Sequence, residues 1–282
     1  MLNTKHIRQR FERAADRFDE ADFVHAATRE GLLSRLDPLL IEAKTVVDLG
    51  AATGAANRSL AKRFRAAHVI SVDLARNMLI KARSKKSWLS KASFVQADAR
   101  ALPFPDESVD VIFSNLLLPW LGDPDPVFSE VARVLRKGGV FAFATLGPDS
   151  LQEIGRAWAQ VDDNVHVNRF PDMHNLGDGL VNAGLSDPVL DVDRLSVSYT
   201  NTDRLFADLT ASGARNALRD RTRGLTGRRR FAALVTALDE AASGGNIALD
   251  LELVYGHCWG TGLKNDPGNF KIDANRIPIR RP

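Results

Sequence analysis

The sequence predicts an α/β fold: a mostly parallel sheet with helices on both faces. Three observations predict it. Short apolar runs, TVVDLG, HVISVDLA, ASFVQADA, VDVIFSNL and GVFAFATLG, alternate with amphipathic stretches such as NRSLAKRF, RNMLIKARSKK and DPVFSEVARVLRK. Alternation of that kind builds βαβ units. The runs are nearly unbroken in apolar residues, as strands covered on both faces must be. The first run empties into a loop of small residues, GAATG, Gly50 to Gly54, where backbone can approach a ligand closely.

Each element follows in order. Residues 6–40 read as helical, because Phe11, Ala14, Ala15, Phe18, Leu32, Leu33 and Leu36 recur at helical spacing. The five strands and their helices come next. After Gly147 the pattern changes. PDSLQEIGRAWAQV reads as a helix opened by a capping box from Ser150 to Glu153. PDMHNLGDGLVNAGL reads as another helix, stopped by Gly184. LDVDRLSVSYT and IALDLELVYGHCWG alternate as strands do, with an arginine-rich helical insert between them. The organisation expected is a helical cap over residues 1–40, a core over 41–201, a helical lid over 202–245, a final core strand over 246–260 and a surface tail over 261–282.

Composition narrows the function classes. Apolar residues make up 44%, charged residues 26%, and the net charge is +3, too weak a bias to imply nucleic acid. The one cysteine, Cys258, forms no internal disulfide and no cysteine zinc cluster, which fits a reducing compartment. No apolar run is long enough to span a bilayer. The first residues mix arginines with Glu12, Asp16, Asp19 and Glu20, unlike an organelle presequence. The expectation is a cytoplasmic protein with no metal and no membrane or nucleic-acid partner.

The motifs fall at strand ends, where open parallel sheets bind ligands. Asp73 closes the second run, Asp98 the third and Asn115 the fourth. An acid about 20 residues after the first loop accepts bonds from ribose hydroxyls. Asp73 also reads as a helix N-cap, and Asn115 as a turn residue. The loop is G-x-A-x-G; it has neither the G-x-G-x-x-G of a dinucleotide site nor the lysine of a P-loop. A nucleoside cofactor without phosphate follows, and two nearby acids suit the positive sulfonium of S-adenosylmethionine. Contacts are expected from Gly50, Ala51, Ala52, Gly54, Asp73, Leu74, Met78, Asp98, Ala99 and Asn115, with Asp48 supporting the loop. Ala52 stands where glycine is usual, and its methyl is tolerable if its φ is ordinary.

From Thr45 to Leu146 the chain resembles the class I S-adenosylmethionine-dependent methyltransferases, on Asp48-Leu49-Gly50, Gly54, Asp73, Asp98-Ala99 and Asn115. The resemblance implies a Rossmann-like, seven-stranded sheet, a first loop around the methionine part, Asp73 on the ribose, Asp98 on the adenine amine, and S-adenosylhomocysteine as product. Four further stretches resemble the malonyl-acyl-carrier-protein O-methyltransferases of early biotin synthesis: FERAADRF, SNLLLPW, the run from Ala144 to Phe170, and the run from Asp208 to Phe231. This implies methylation of the free carboxylate of a malonyl thioester on acyl carrier protein. Such an acceptor is already ionised at neutral pH and needs no general base. Arg169, His166 and Arg215 are the candidate carboxylate anchors, with Phe18 and Trp120 lining the pocket. Arg219, Arg221, Arg223, Arg228, Arg229 and Arg230 form the candidate dock for the carrier's acidic helices. Phe18 stands where many members have tyrosine, and Pro119 where glutamine or histidine often precedes the tryptophan. Two other readings stand beside this one. The same motifs resemble a complex I assembly factor that hydroxylates an arginine, and Ala52 with Phe18 suits a non-catalytic S-adenosylmethionine-binding regulator. RNA methylation fits poorly, since Asn115 is followed by three leucines.

Overall fold

The computed structural model describes residues 2–88, 90–214, 216–218, 226–242 and 244–262. Its sheet has seven strands: β1 (Thr45–Leu49), β2 (His68–Asp73), β3 (Ser93–Gln96), β4 (Val109–Asn115), β5 (Leu135–Leu146), β6 (Leu185–Tyr199) and β7 (Ile247–Gly260). Their order across the sheet is β3-β2-β1-β4-β5-β7-β6. The first five are parallel. β7 inserts between β5 and β6 and runs antiparallel to both, so the sheet is mixed.

Alternation along each strand divides the core in two. On one face Val47, Leu49, Val72, Ile112, Phe141 and Phe143 pack beneath helices α5 (Asp125–Val134) and α7 (Met173–Asn182), through Phe128, Val131, Leu176 and Leu180. On the other face Val46, Val69, Val111, Phe113 and Ala142 meet α2 (Phe23–Leu36) and α3 (Asn57–Arg63) through Leu32, Leu36 and Leu60. Both faces are covered, which is why the parallel strands read as continuous apolar runs.

The expected N-terminal helical cap consists of two helices. α1 (Thr4–Ala14) ends before a 3₁₀ turn over Phe18–Ala21, and α2 follows. α1 lies against α4 (Arg76–Ser84), where the Glu12 carboxylate accepts from the backbone N–H of Arg76 at 2.9 Å and of Asn77 at 2.8 Å. An acid there satisfies free helix N–H groups and complements the helix dipole.

The 202–245 segment holds α8 (Thr202–Ala211) and α9 (Arg228–Glu240). They pack with α6 (Gln152–Ala159) on the protruding ends of β6 and β7, around Ile154, Tyr199, Leu205, Leu234, Leu238, Ile247 and Leu249. The capping box expected at Ser150 does not form. The α6 N-cap is Leu151, in left-handed conformation at φ 60°, without a side-chain cap. Ser150 Oγ instead donates to the Glu252 carbonyl at 3.2 Å and accepts from the Glu252 N–H at 3.0 Å. Glu153 accepts from the Asp250 N–H at 3.3 Å. The open backbone of β7 competes for both side chains and wins, docking α6 to the sheet. Gly184, at φ 91°, closes α7 as expected.

At Gly256 in β7, an added Cβ would lie 2.4 Å from the Phe143 ring, which is held by Phe141 at a centroid distance of 5.1 Å. Gly256→Ala is therefore expected to destabilise by about 1–3 kcal/mol through overpacking, read as a lower urea midpoint. An unchanged midpoint would show that the ring yields freely.

Candidate functional site

The loop after β1 is shaped by its backbone. The N–H groups of Gly50 and Ala51 donate to the Val72 carbonyl at 2.8 and 3.0 Å, folding the loop over the end of β2. Gly50 and Gly54 have φ of +76° and +75°, which glycine alone adopts without cost. A Cβ on Gly54 would meet Ala82 of α4 at 2.8 Å. Ala52 also has a positive φ, 45°. The condition under which its methyl is tolerated without cost, an ordinary φ, is therefore not met: this alanine occupies a glycine conformation and carries its strain.

Asp73 anchors that conformation. Its Oδ2 accepts from the Ala52 N–H at 2.9 Å and its Oδ1 from the Ala75 N–H at 2.8 Å. The second bond serves the backbone just before α4, close to the N-cap role read from sequence. Burial pushes the Asp73 carboxyl up to about 6, against the pull of those two N–H groups. Asp48, behind the loop and 3% exposed, is pushed up to about 7 by burial and then by the charge of Asp73. Its Oδ2 is buried without a hydrogen-bond partner. The pair disfavours two negative charges in one dry site, and a cation bound beside them would relieve that.

A cavity opens at the carboxyl ends of β1, β2 and β4, where open parallel sheets bind ligands. Gly50, Ala52, Asp73, Leu74, Asp98, Ala99 and Asn115 line it, and so do Phe18 and Trp120. Ala51, Gly54 and Met78 do not line it; Met78 is fully buried in one cluster with Phe18. Asp98 is gripped by Arg100, whose Nη2 and Nε donate at 2.6 and 2.9 Å, and this holds its carboxyl below the usual range. Asn115 donates from Nδ2 to the His25 carbonyl at 3.0 Å, while its Oδ1 is buried without a partner.

Two more cavities continue from the first. The second is lined by apolar residues including Val24, Pro119, Leu146, Leu151, Val197 and Leu249. The third is lined by Arg10, Trp158, His166, Asn168, Phe170 and Arg230 among others. Trp120 borders all three. His166 stacks on Trp158 at 3.6 Å and pairs with Asp162 at 2.8 Å. Arg230 also pairs with Asp162. Burial resists ionisation of Asp162, but the bonds from His166, Asn164 and Arg230 outweigh it and hold its carboxyl below the usual range. Arg169, between the lining residues Asn168 and Phe170, is itself exposed and borders none of these three cavities. Arg228 and Arg229 are exposed on the first turn of α9. Arg215, Arg219, Arg221 and Arg223 lie outside the described residues, as do residues 263–282 of the expected tail.

Comparison with known proteins agrees with this geometry. Residues 47–143 match the family model described as a methyltransferase domain. A protein of Halorhodospira halophila named malonyl-[acyl-carrier protein] O-methyltransferase is 39% identical over 286 residues, covering 99% of this chain and 97% of that one. The chain belongs to the malonyl-[acyl-carrier protein] O-methyltransferase family. A relative of the same name from Xylella fastidiosa is 38% identical, covering 100% of this chain and 98% of the other. Among solved structures, YcgJ of Bacillus subtilis shares the fold at a TM-score of 0.59 and 17% identity, covering 83% of this chain and 98% of that one.

For a methyltransferase of this family, sequence reasoning missed part of the cavity wall. Thr4, Ile7, Arg8 and Phe11 of α1 line the first cavity, with His25, Arg100 and Leu117. The amphipathic face of α1 was the available signal, since Phe11 packs edge-on to Trp120 at 5.1 Å. His25 left no signal, because a lone histidine on a helix reads as an ordinary packed residue.

Two outcomes follow from the loop. Ala52→Gly is expected to raise stability by up to about 1 kcal/mol by removing left-handed strain, measured by urea unfolding; a loss would contradict the strain. Asp48 and Asp73 both have raised folded-state values, so each favours the folded state fully below pH 3.8 and loses that contribution as pH rises through about 6 to 7. Asp48→Asn should therefore gain stability relative to the parent between pH 5 and pH 8. Parallel stability curves for the two proteins would contradict the shift.

Proposed function

We propose that this protein transfers the methyl group of S-adenosylmethionine to the free carboxylate of a malonyl thioester carried by acyl carrier protein. The observation that carries the reading is the run of connected cavities beginning at the β1, β2 and β4 ends, in a chain whose full-length relatives bear the malonyl-acyl-carrier name.

The residues present fit the cofactor. Gly50 and the left-handed Ala52 keep side-chain bulk out of the loop wall, and Asp73 offers remaining carboxylate lone pairs to ribose hydroxyls. Asp98 faces the cavity as an acceptor for the adenine amine, and the unpaired Asn115 Oδ1 supplies an acceptor for an ammonium or hydroxyl. Bound there, S-adenosylmethionine supplies an electrophilic methyl: an acceptor oxygen takes it, the C–S electron pair stays on sulfur, and both products lose their charge at the reacting atoms.

The chain's own part is alignment and exclusion of water. No general base is required of it. α1 covers the cavity from above, locked to α4 through Glu12. The apolar second cavity desolvates an entering carboxylate beside Trp120 and Pro119, which sharpens its nucleophilicity. The third cavity, rimmed by His166 and Arg230, borders α9, whose Arg228, Arg229 and Arg230 are the described part of the proposed carrier dock. Arg169, expected as a carboxylate anchor, is exposed and outside these cavities, and takes no part in this reading.

Intact-protein mass spectrometry of malonyl-acyl carrier protein, incubated with the protein and S-adenosylmethionine, tests the reading. A gain of one methyl mass is expected on malonyl-loaded carrier and none on acetyl-loaded carrier. Malonyl carrier left unmodified would overturn it.

A further inference from the structure

The first and second cavities share three lining residues: His25, Leu116 and Trp120. They stand where the two cavities adjoin, so on the reading above an acceptor reaching the cofactor from the second cavity passes among them. Leu116 offers only hydrocarbon. It is pinned in the left-handed region, at φ 56°, by an N–H bond to the Ala144 carbonyl at 2.9 Å. Strain of that kind persists where surrounding structure enforces it.

His25 differs from its neighbours at this gate. Its backbone carbonyl is tied to Asn115 Nδ2 at 3.0 Å, and its ring sits edge-on to Phe18 at 4.9 Å. α2 carries it, fixed at its start by the Asp22–Arg29 pair at 3.0 Å. The ring is therefore well oriented, yet Nδ1 is buried and makes no hydrogen bond. A buried polar atom without a partner is costly and unusual. Among the described residues, the charged neighbours that bear on the ring are Asp22 and Arg29, and burial outweighs both, taking the imidazole down to about 4. It is neutral at working pH, with one N–H to give.

We propose that His25 is the residue that positions the acceptor carboxylate, donating a neutral N–H to one of its oxygens at the gate between the two cavities. The assignment rests on the carboxylate reading above and adds a named contact to it. The chemistry favours a neutral donor. The acceptor's negative charge disappears during transfer, so a cation at this point would hold the ground state more tightly than the transition state and slow the step. A neutral imidazole fixes direction at less electrostatic cost. Charged anchors then belong further out, on the thioester arm.

His25→Phe keeps the ring's packing against Phe18 and removes the donor; His25→Gln restores a donor in a different shape. Three readouts are taken: kcat/KM for malonyl-loaded carrier, S-adenosylhomocysteine affinity by calorimetry, and the thermal midpoint. His25→Phe is expected to lose at least tenfold in kcat/KM while cofactor affinity stays within twofold and the midpoint within a few degrees. His25→Gln is expected to recover part of that loss. A His25→Phe variant within twofold of the parent overturns the assignment, and so does cofactor affinity falling in step with turnover. A second measurement does not depend on turnover or on the variant folding. In protein labelled with ¹⁵N-histidine and saturated with S-adenosylhomocysteine, malonyl-N-acetylcysteamine should shift the His25 ring nitrogens and leave those of His174 and His257 unmoved. Silent His25 signals overturn the proposal. If the parent leaves malonyl carrier unmethylated, the acceptor identity above fails, and shifted His25 signals would still support the gate contact with a carboxylate.

Discussion

The site depends on one carboxylate. Asp73 stands at the end of β2 and joins the loop after β1 to the start of α4, by its bonds to the N–H groups of Ala52 and Ala75. That bridge holds the Ala52 N–H while the residue adopts a left-handed conformation that its side chain disfavours. The bridge also fixes the distance between the two elements that wall the cofactor cavity. Burying this charge beside Asp48 is unfavourable, as the raised values of both groups show. The loop geometry is thus stabilised by an acid that is itself poised to welcome positive charge. On the proposed reading, structural and binding roles are carried by the same two oxygens.

The rest of the molecule is arranged around that corner. The sheet order places β1 beside both β2 and β4, so Gly50, Asp73 and Asn115 converge although they are far apart in sequence. α1 closes the cavity from above and α2 brings His25 to its inner end. β7 and the helices packed on it border a second, apolar cavity and a third of mixed lining that includes Arg10, His166 and Arg230. An acceptor on a long flexible arm is suited to such cavities, because its reactive end can be desolvated while its carrier stays outside. A small free acceptor would not need the outer two cavities.

Much of this was legible in the sequence. Unbroken apolar runs fixed the parallel strands, since both faces of the sheet are covered, and strand ends located Asp73, Asp98 and Asn115. What escaped reading was non-local. The Ser150–Glu153 pattern looked like a cap, but β7, a hundred residues away, offered stronger partners. The φ of Ala52 was set by Asp73 and not by local propensity. Glu12 caps a helix 64 residues on, which no local pattern announces. His25 became visible only when folding placed it at the meeting of two cavities. Local periodicity predicts elements; the closing contacts of a site belong to the assembled sheet.

The most direct measurement is calorimetric titration of S-adenosylhomocysteine into the parent and Asp73→Ala, with circular dichroism confirming that both are folded. The account predicts that Asp73→Ala binds at least tenfold more weakly, about 1.4 kcal/mol or more, because the variant loses both the ribose acceptor and the loop's anchor. Affinity within twofold of the parent would contradict it, and would place the cofactor away from the end of β2.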